Sequence, residues 1–559
     1  MRQFFFEKNL ETILKLGYYI KIVGEEMRNN IVKYVFIVFL IILAVIVYSF
    51  YKRQGNDTEK KKSDPNEGET TINVVKELRL AIAEYDTINP ILSNNRNVQE
   101  ISKIIYDPLV SINENYRAEG YLAQEVSKSS ENSYIVKLRE GVKWQDGTDF
   151  TSNDVKFTID VIKGSNSIYK ENVKHITDTR IIDERTLAFS IDQVVPFFEY
   201  NLTFPIMSSK YYEGEDFNTS GKNRSPLGTG MFKITSSDEN VIILEKNDEY
   251  WNQDNKPILE KININFYANM GEVYNAFKNG NIDIINTDIG NVGRYIGTIG
   301  YESQIYNGKE YDFIALNNND EILSNTAVRR AINYAIDKNN IIASCYGGEY
   351  YSSNFPIDYI SWIYEGNADN AYNPEEAKNV LQNDGWTYKN NVWQKNVDGR
   401  NIRLNFNLTI NSENGLDEAV AENIKTQLAA IGINIDLSRV SPEKYSEIIN
   451  SKDGYQAILV NINTAFSPNI NTYIGNGNIS NYNSDDMNSI LGEINSIGDD
   501  NTMKEKYKKI VEIYNRDMPF ISLARKNKVV IFNTNLVGVS KPTAYNIYNH
   551  IERWYRKNY

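Results

Sequence analysis

The longest apolar run in the chain lies near its beginning. Residues Tyr34 to Tyr51 read YVFIVFLIILAVIVYSFY and include no charged side chain. A helix of this length measures roughly 27 Å, which matches the hydrocarbon core of a bilayer, and tyrosines at both ends suit the two interfaces. The run is longer than the apolar core of a signal peptide, and no A-x-A-like cleavage site follows it. The pattern predicts an uncleaved transmembrane anchor within residues 31–51.

The segments on either side of this run predict how the chain lies across a membrane. Residues 1–30 form a short N-terminal segment in which Met27 offers an alternative start to Met1, and residues 52–71 are polar and lysine-rich, as in a solvated linker. Basic residues flank the run on both sides, so the positive-inside rule does not decide the orientation. Because the large remainder, residues 72–559, follows the anchor, we expect a single-pass cell-membrane protein with this part on the extracellular face.

Local signals predict a strand and a helix near residue 150. Alternation of apolar and polar residues from Tyr134 to Leu138 is typical of a strand. Thr151 and Asp154 have the spacing of a capping box, and Phe150 and Val155 have the spacing of its hydrophobic staple. A helix is therefore expected to begin directly after Thr151.

A second helix is predicted after Asn325 or Thr326, where apolar residues recur at helical spacing. These residues are Val328, Ala331, Ile332, Ala335 and Ile336. The face that they form is expected to be buried.

A strand–helix–strand crossover is predicted farther along the chain. Residues 402–410 alternate, residues 416–431 have helical periodicity, Gly432 can end the helix, and residues 433–437 alternate again. Such a crossover joins parallel strands, and units of this kind build α/β lobes with ligand clefts at the strand ends.

The composition argues against several classes of function. The single cysteine, Cys345, excludes an intrachain disulfide and a cysteine zinc site, and the two histidines, His175 and His550, leave little for metal ligation or a nucleophile–base pair. No Gly-x-Ser-x-Gly, P-loop or His-Glu-x-x-His motif occurs. A net charge of −13 opposes contact with nucleic acid. We therefore expect no enzyme, no metal or other cofactor, and no nucleic-acid partner.

Five blocks of sequence, in order along the chain, resemble one known family. They are LAQEVSKSSENSYIVKLREGVKWQDGTDFTSNDVKFTID (122–160), SPLGTGMFKI with LEKNDEYW (225–251), ALNNND with AVRRAINYAIDKNNII and CYGG (315–348), AYNPEEAKNVLQNDGW (371–386), and NYNSDDMNSIL with DMPFISL (481–523). Together they resemble the family 5 extracellular solute-binding proteins, which are the oligopeptide, dipeptide and nickel receptors of ABC importers. The resemblance covers nearly all of residues 72–559.

The resemblance implies an α/β fold of the periplasmic-binding-protein type (type II, cluster C), shaped as a clam with three lobes after the transmembrane helix. Lobe I would comprise about residues 72–100, 216–320 and 525–559, lobe II about residues 101–215, and lobe III about residues 321–524. The ligand would sit between lobes I and III, and hinge closure would bury it.

The function implied by this resemblance is the capture of peptides or peptide-like solutes and their delivery to the permease and ATPase subunits of an ABC importer. Two alternatives stay open: a sensory or signalling receptor on the same fold, and a receptor for a solute that is not a peptide. Nickel is disfavoured, because the nickel branch uses a histidine or a captured chelator and the sequence indicates neither.

The resemblance also indicates where the ligand would be contacted. Candidates lie on the first loop of lobe I, near the crossing to lobe III, on a loop placed over the ligand, and in residues 458–473 of lobe III. In that order they are Tyr85; Asn317; Asn354, Phe355, Ser361 and Trp362; and Asn463, Thr464 and Phe466. Aromatic and amide side chains suit a cleft that binds an extended ligand.

One departure from the family pattern concerns the ligand directly. Peptide receptors of this family carry an aspartate a few residues before a proline, and this aspartate pairs with the α-amino group of the peptide. The matching segment here reads NTAFSP (463–468) and contains no acidic residue. Because a buried ammonium group without a counter-charge is costly, the departure argues against a ligand with a free α-amine.

Other residues of the matching blocks are expected to serve the scaffold. Trp144 should pack at a turn beside Gly147, and Arg329 and Arg330 should form solvated or interlobe ion pairs. These residues identify the family without contacting the ligand.

Overall fold

A computed structural model describes residues 73–364, 366, 372–495 and 497–558. The predicted N-terminal segment, anchor and linker, residues 1–71, lie outside the described residues. Within the described part, every helix is too short or too polar to cross a bilayer.

Twenty-three strands are present in the described part of the chain. They are β1 (Asn73–Val75), β2 (Glu77–Ala83), β3 (Val110–Ile112), β4 (Ala118–Gly120), β5 (Ala123–Ser130), β6 (Ser133–Leu138), β7 (Ile176–Asp183), β8 (Thr186–Ile191), β9 (Phe232–Ser237), β10 (Val241–Lys246), β11 (Lys261–Tyr267), β12 (Ile284–Asp288), β13 (Tyr301–Leu316), β14 (Tyr350–Ser352), β15 (Thr387–Lys389), β16 (Val392–Val397), β17 (Arg400–Arg403), β18 (Asn405–Asn411), β19 (Asn434–Val440), β20 (Ala457–Asn463), β21 (Phe520–Asn533), β22 (Leu536–Val537) and β23 (Tyr555–Asn558).

Thirteen α-helices accompany these strands among the described residues. They are α1 (Arg96–Ile105), α2 (Ser152–Gly164), α3 (Lys170–Val173), α4 (Met270–Lys278), α5 (Ile289–Val292), α6 (Thr326–Ala335), α7 (Lys338–Ser344), α8 (Pro374–Asn383), α9 (Gly415–Ala430), α10 (Pro442–Ser451), α11 (Asn471–Ile474), α12 (Asp485–Ile494) and α13 (Asp500–Asp517).

The principal sheet has seven strands in the order β12–β21–β13–β20–β18–β19, and β14 also pairs with β21. β18 runs parallel to β19 and β20, whereas the other pairs are antiparallel. β20 opens with four consecutive buried residues, Ala457–Val460. This continuous apolar run is typical of a strand that is covered on both faces.

Smaller sheets complete the fold. Two have four strands, in the orders β2–β11–β10–β9 and β5–β6–β8–β7, and the others are β1–β23–β22, β15–β16–β17 and β3–β4. Residues of α1 and α2 belong to the same hydrophobic core as both four-stranded sheets. Residues of α6, α9 and α13 belong to a separate core with the principal sheet.

The predicted crossover is present, with one correction. β18 leads through α9 into β19, which is parallel to β18, and Gly432 has a φ of +84° just beyond the helix. The predicted first strand, residues 402–410, is not continuous. Leu404 is buried, its N–H donates to the Trp393 carbonyl at 2.8 Å, and the chain changes partner there from β16 to β19.

Both predicted helix starts are confirmed. The Asp154 carboxylate accepts the Thr151 N–H at 2.8 Å and the Thr151 hydroxyl accepts the Asn153 N–H at 3.3 Å, so α2 begins with a capping box. α6 begins after Asn325, whose side chain accepts two N–H groups of the first turn. The five apolar residues predicted for the inner face at 328–336 are buried.

Asp154 also joins α2 to a turn and to a distant loop. Its carboxylate is 2% exposed and accepts from Trp144 Nε1 at 3.2 Å, from the Ser209 N–H at 2.8 Å and from the Ser209 hydroxyl at 2.7 Å. Trp144 is buried at a turn that Gly147 closes with a φ of +86°. The expected structural role of Trp144 is confirmed.

The burial of Arg329 corrects the expectation of a solvated or interlobe ion pair. The residue is 4% exposed, and its guanidinium donates to the carbonyls of Leu323, Ser324, Asp517 and Met518 at 2.6–3.2 Å. Asp517 and Met518 lie at the C-terminal end of α13, where carbonyl groups lack helical partners. Burial lowers the pKa of Arg329 to about 10.

β13 and β21 form the longest strand pair, and their register shifts at two places, between Asn307 and Tyr311 and between Asp312 and Phe313. The first shift is the larger interruption of the ladder. Asn307 pairs with Asn527 and Tyr311 pairs with Arg525, so residues 308–310 face Lys526 alone. Gly308 fits there because a Cβ atom at this position would lie 2.7 Å from the Lys526 carbonyl oxygen. The interruption lies near the predicted passage from lobe I to lobe III, and the lobe boundaries themselves stay a prediction.

We expect Asp154→Ala to lower the free energy of unfolding by about 2–4 kcal/mol, because the buried indole N–H of Trp144 and three further donors lose a charged acceptor. Urea denaturation of the full-length chain in a mild detergent, followed by tryptophan fluorescence, measures this change. Asp149→Ala is the control, since Asp149 pairs with Lys143 at the surface, where such pairs contribute about 0–1 kcal/mol. Equal losses of unfolding free energy for the two variants would contradict the structural role assigned to Asp154.

Candidate ligand-binding site

Two adjoining cavities lie where the interrupted strand pair meets the segment after β20. The larger has a volume of about 910 Å³ and the smaller a volume of about 190 Å³. Gly308, Lys309 and residues 463–467 line both of them. Sites for small ligands typically have volumes of about 300–1,000 Å³, so the larger cavity is of suitable size.

The wall of the larger cavity is assembled from distant parts of the chain. Arg96 and Tyr306 come from segments assigned to lobe I, Lys103 comes from the segment assigned to lobe II, and residues 463–467 come from the segment assigned to lobe III. A change in the relative positions of these segments would therefore open or close this cavity.

Thr464 fixes the start of the segment that both cavities share. Its N–H and its hydroxyl donate to the Lys309 carbonyl at 2.9 and 3.1 Å, and the hydroxyl accepts from Arg525 Nη1 at 3.1 Å. Beyond it, Ala465 to Ser467 make no backbone hydrogen bond to any residue that the structure describes. Three peptide units on the cavity wall are thus free to bond a ligand.

Aromatic side chains form one side of the site. The Phe466 ring centre lies 5.5 Å from the ring centres of both Tyr116 and Tyr545. The Tyr200 hydroxyl donates to the Tyr116 carbonyl at 2.8 Å, and Trp362 Nε1 donates to that hydroxyl at 3.0 Å. These two hydrogen bonds hold Tyr116 in position within the aromatic wall.

Four of the nine residues predicted to contact the ligand line a cavity. Asn463, Thr464 and Phe466 line both cavities, and Ser361 lines the smaller one. The segment indicated by the resemblance thus lines both cavities, and ligand contact by these residues is still a prediction.

The other five predicted residues line neither cavity and make contacts within the protein. Tyr85 stacks on Phe266, Asn317 donates to the Tyr455 carbonyl, Asn354 accepts from Lys338 Nζ, Phe355 packs edge-on against Tyr514, and Trp362 donates to Tyr200. Their role as ligand contacts stays a prediction.

Sequence reasoning missed several cavity-lining residues, among them Lys103, Lys309, Arg525 and Tyr545. The sequence contains 60 lysines and arginines, and no motif or spacing distinguishes Lys103, Lys309 and Arg525 from the rest. Only the folded chain brings Lys103 near Lys309 and Tyr545.

Most charged groups on the wall of the larger cavity are paired. Arg96 contacts Glu100 at 2.8 Å, and Lys528 contacts Glu310 at 2.7 Å. Glu171, near the rim, contacts Lys174 at 2.6 Å. These pairs neutralise one another, so each of the carboxylates Glu100, Glu171 and Glu310 on the wall of the larger cavity has a cationic partner.

Lys103 and Lys309 are the exceptions, since neither has a carboxylate partner among the described residues. Lys103 Nζ lies 4.1 Å from the ring centre of Tyr545, and Lys309 Nζ lies 4.7 Å from that of Phe466. Burial, with a contribution from the charge of Lys309, lowers the pKa of Lys103 to about 8, and burial lowers the pKa of Lys309. A cation–π contact contributes about 0.5–2 kcal/mol, less than the several kcal/mol that desolvating an ammonium group costs.

The charges on the wall of the smaller cavity are more evenly balanced. Arg525 is 2% exposed, donates to Thr464, and has no acceptor for Nε among the described residues. Asp358 lines the same cavity and accepts from Asn307 Nδ2 at 2.8 Å and from the Tyr351 hydroxyl at 2.9 Å. One cation and one anion thus face this space.

The two histidines lie outside both cavities. His175 Nδ1 contacts Asp192 at 2.9 Å, and His550 Nε2 contacts Glu114 at 2.7 Å. No cluster of three or more potential metal ligands occurs in the part of the chain that the structure describes.

Comparison with known proteins gives consistent matches. The family model described as "Bacterial extracellular solute-binding proteins, family 5 Middle" matches residues 117–484. The oligopeptide-binding protein AppA of Bacillus subtilis (strain 168) is 23% identical over 543 residues, which are 92% of this chain and 97% of that protein. The nickel-binding periplasmic protein of Escherichia coli (strain K12) is 25% identical over 375 residues, which are 63% of this chain and 68% of that protein. The unliganded open form of MppA, a periplasmic murein tripeptide-binding protein, aligns with a TM-score of 0.74 at 15% identity, over 88% of this chain and 99% of that one.

These matches, together with the cavity, define a solute-binding protein. The chain belongs to family 5 of the bacterial extracellular solute-binding proteins, since the family model covers more than half of it. The resemblance drawn from the sequence blocks and the α/β periplasmic-binding-protein fold are both confirmed. The family consists of substrate-binding proteins of ABC transporters and not of enzymes.

We expect Gly308→Ala to destabilise the chain by about 1–3 kcal/mol, because the added methyl group meets the Lys526 carbonyl oxygen at the interruption of the β13–β21 ladder. Differential scanning fluorimetry of the full-length chain measures the loss as a lower melting temperature. Gly164→Ala at the end of α2 is the control, since its Cβ meets no atom within 4 Å and it should leave the melting temperature nearly unchanged. An unchanged melting temperature for Gly308→Ala would show that the two strands accommodate the methyl group with no loss of stability.

Proposed function

We propose that this chain captures peptides or peptide-like solutes outside a single-membrane bacterium and delivers them to the permease and ATPase subunits of an ABC importer. The observation that carries the proposal is the segment Ala465–Ser467, whose unpaired backbone lines both cavities. An extended peptide can bond such a segment through its own main chain, as an added strand does. Binding of this kind is independent of the peptide's sequence.

The aromatic wall supports the same proposal. The rings of Phe466, Tyr116 and Tyr545 present apolar faces to the site, and the phenol groups add polar edges. Ring faces accept many side-chain shapes through dispersion and hydrophobic contact. A receptor that takes peptides of varied sequence needs a surface of this kind.

Closure of the binding region would report that a ligand is bound. The interruption at residues 308–310 adjoins both cavities, so a bend there would move the 463–467 segment relative to Lys103 and Tyr545. A solute that contacts both sides stabilises the closed state by its differential affinity for the two states. The importer would then receive loaded receptor in preference to empty receptor.

Retention at the membrane is the second part of the proposal. The uncharged run Tyr34 to Tyr51 would anchor the chain, and residues 52–71 would act as a flexible tether. A tether raises the effective concentration of the receptor near its permease to the millimolar range, on the order of that reached with short flexible linkers. This arrangement suits a cell without an outer membrane to retain a free receptor.

A direct test of peptide capture uses the full-length chain purified in detergent without denaturation. Native mass spectrometry should detect heterogeneous co-purified peptides, and a mixed peptide library should raise the melting temperature. Phe466→Ala should weaken peptide binding roughly 10-fold or more, because it removes the ring that lines both cavities. Tyr372→Ala, at an exposed site that lines neither cavity, should leave binding unchanged.

The result that would overturn peptide capture is a wild-type chain that co-purifies with no peptide and is not stabilised by the library. Stabilisation by a solute that is not a peptide, with loss of the effect in Phe466→Ala, would favour the receptor for another solute instead. Equal peptide affinity of wild type and Phe466→Ala would show that the peptide binds outside these cavities.

The anchor is tested by comparing two truncated chains. Deletion of residues 34–51 should move the protein from the salt-washed membrane fraction to the soluble fraction, because the apolar run is removed. A chain that starts at Met27 keeps the run and should stay in the membrane fraction. Immunoblots of both fractions give the measurement, and a deletion variant that still sediments with washed membranes would contradict the anchor.

A further inference from the structure

Two ammonium groups of like charge face one cavity, although they come from distant parts of the chain. Lys103 lies in the last turn of α1, and Lys309 lies within the interruption of β13. Lys103 Nζ lies over the Tyr545 ring and Lys309 Nζ over the Phe466 ring, and the centres of these two rings are 5.5 Å apart. In agreement with this arrangement, the charge of Lys309 contributes to the lowered pKa of Lys103. Each ammonium group rests on an aromatic ring and not beside a carboxylate.

The surrounding protein does not account for both charges. The C-terminal dipole of α1 favours a cation at Lys103, but Lys309 lies on no helix. An apolar side chain at either position would cover the adjacent ring without any desolvation cost. The other charged groups on this wall, Arg96, Glu100, Glu171, Glu310 and Lys528, already have partners.

We infer that the captured solute carries a negatively charged group, and that this group binds between the ammonium groups of Lys103 and Lys309, beside the rings of Tyr545 and Phe466. The inference rests on the proposed function and names its substrate class: acidic peptides or carboxylate-bearing peptide-like solutes. An unpaired pair of cations in a partly closed space attracts an anion strongly, and a bound anion removes their mutual repulsion.

The segment at 463–468 supports this polarity. Residues 463–468 include no acidic side chain, and the Lys309 carbonyl is bonded to Thr464 of that segment. The ammonium groups of Lys103 and Lys309 therefore make the larger cavity positively charged next to 463–467, whereas Arg525 and Asp358 face the smaller cavity together. A ligand amine placed there would be repelled by Lys309, whereas a carboxylate would be attracted.

Lysine does not distinguish a carboxylate from a phosphate by geometry, because its ammonium group is a compact charge with three donors. The test therefore uses separate probes. Two heptapeptide libraries share acetylated N-termini; one contains Glu and Asp with free C-termini, and the other contains Gln and Asn with C-terminal amides. A third is the neutral library with one phosphoserine, and inorganic phosphate and citrate serve as anions that are not peptides.

The measurement is the affinity of the full-length chain in detergent for each probe, with the melting temperature of the empty protein as a second readout. Wild type should bind the acidic library at least about 10-fold more tightly than the neutral one. Lys103→Met and Lys309→Met should each weaken the affinity for the acidic library by about 10-fold or more. Lys103→Arg keeps the positive charge and should retain most of the wild-type affinity. Lys278→Met, at an exposed site in α4, should change nothing.

The melting temperature separates binding from a structural role. If the lysines serve the ligand, the double Met variant should melt at the same or a higher temperature than wild type when empty, because two repelling charges are gone. A lower melting temperature combined with unchanged preference for acidic peptides would overturn the inference.

The probes also separate this inference from the proposed function. Equal or tighter binding of the neutral library would overturn the anionic ligand and leave peptide capture intact. Binding of citrate or phosphate that depends on both lysines, without binding of any library, would support the anionic site and overturn peptide capture. Preference for the phosphoserine library over the acidic one would assign the anion as phosphate, and no response to any anion would overturn the inference.

Discussion

The interrupted pairing of β13 with β21 is the constraint on which the binding region depends. An antiparallel ladder satisfies its own backbone groups, so any point where three residues face one must be stabilised locally. Gly308 relieves the crowding against the Lys526 carbonyl, and Lys526 and Lys528 form ion pairs with Glu310 and Asp288 across the interruption. The strands therefore remain paired on both sides of this short segment, with a second register shift between Asp312 and Phe313. Because that segment also lines both cavities, the proposed closure and the proposed binding would involve the same residues.

The charges around this segment have two different physical roles. The pairs of Glu310 and Asp288 with their lysines are partly buried and mutually satisfied, and the two lysines hold the pKa of Asp288 below its usual range despite its burial. They stabilise the strands and contribute little attraction for a ligand. Lys103 and Lys309 have no such partners, so their field extends into the cavity. The scaffold is thus neutralised locally, and the net charge of the binding region comes from two side chains.

Sequence reasoning succeeded where the deciding forces are local. The cap at Thr151, the cap at Asn325 and the crossover around α9 depend on residues within a few positions of one another, and all are present. It failed where the deciding contact is distant: the partner exchange at Leu404, and the burial of Arg329 against the carbonyls that end α13. The residues that line the cavities also differ in how far the sequence indicated them. The 463–467 segment was predicted from its similarity to known receptors, whereas Lys103 and Tyr545 come together only through the tertiary fold.

Affinity and selectivity are separable in a site of this construction. In the proposed function, the unpaired peptide units of Ala465–Ser467 would bond any extended backbone and would contribute affinity without selecting among peptides. Selection then depends on protein charges that attract one ligand group and repel another. An ammonium group attracts a carboxylate and repels a protonated amine. With both lysines beside the same aromatic wall, a neutral solute would leave two desolvated charges uncompensated on closure. In the proposed binding mode, a solute that supplies the missing negative charge would favour the closed state most, and charge compensation would join ligand choice to closure.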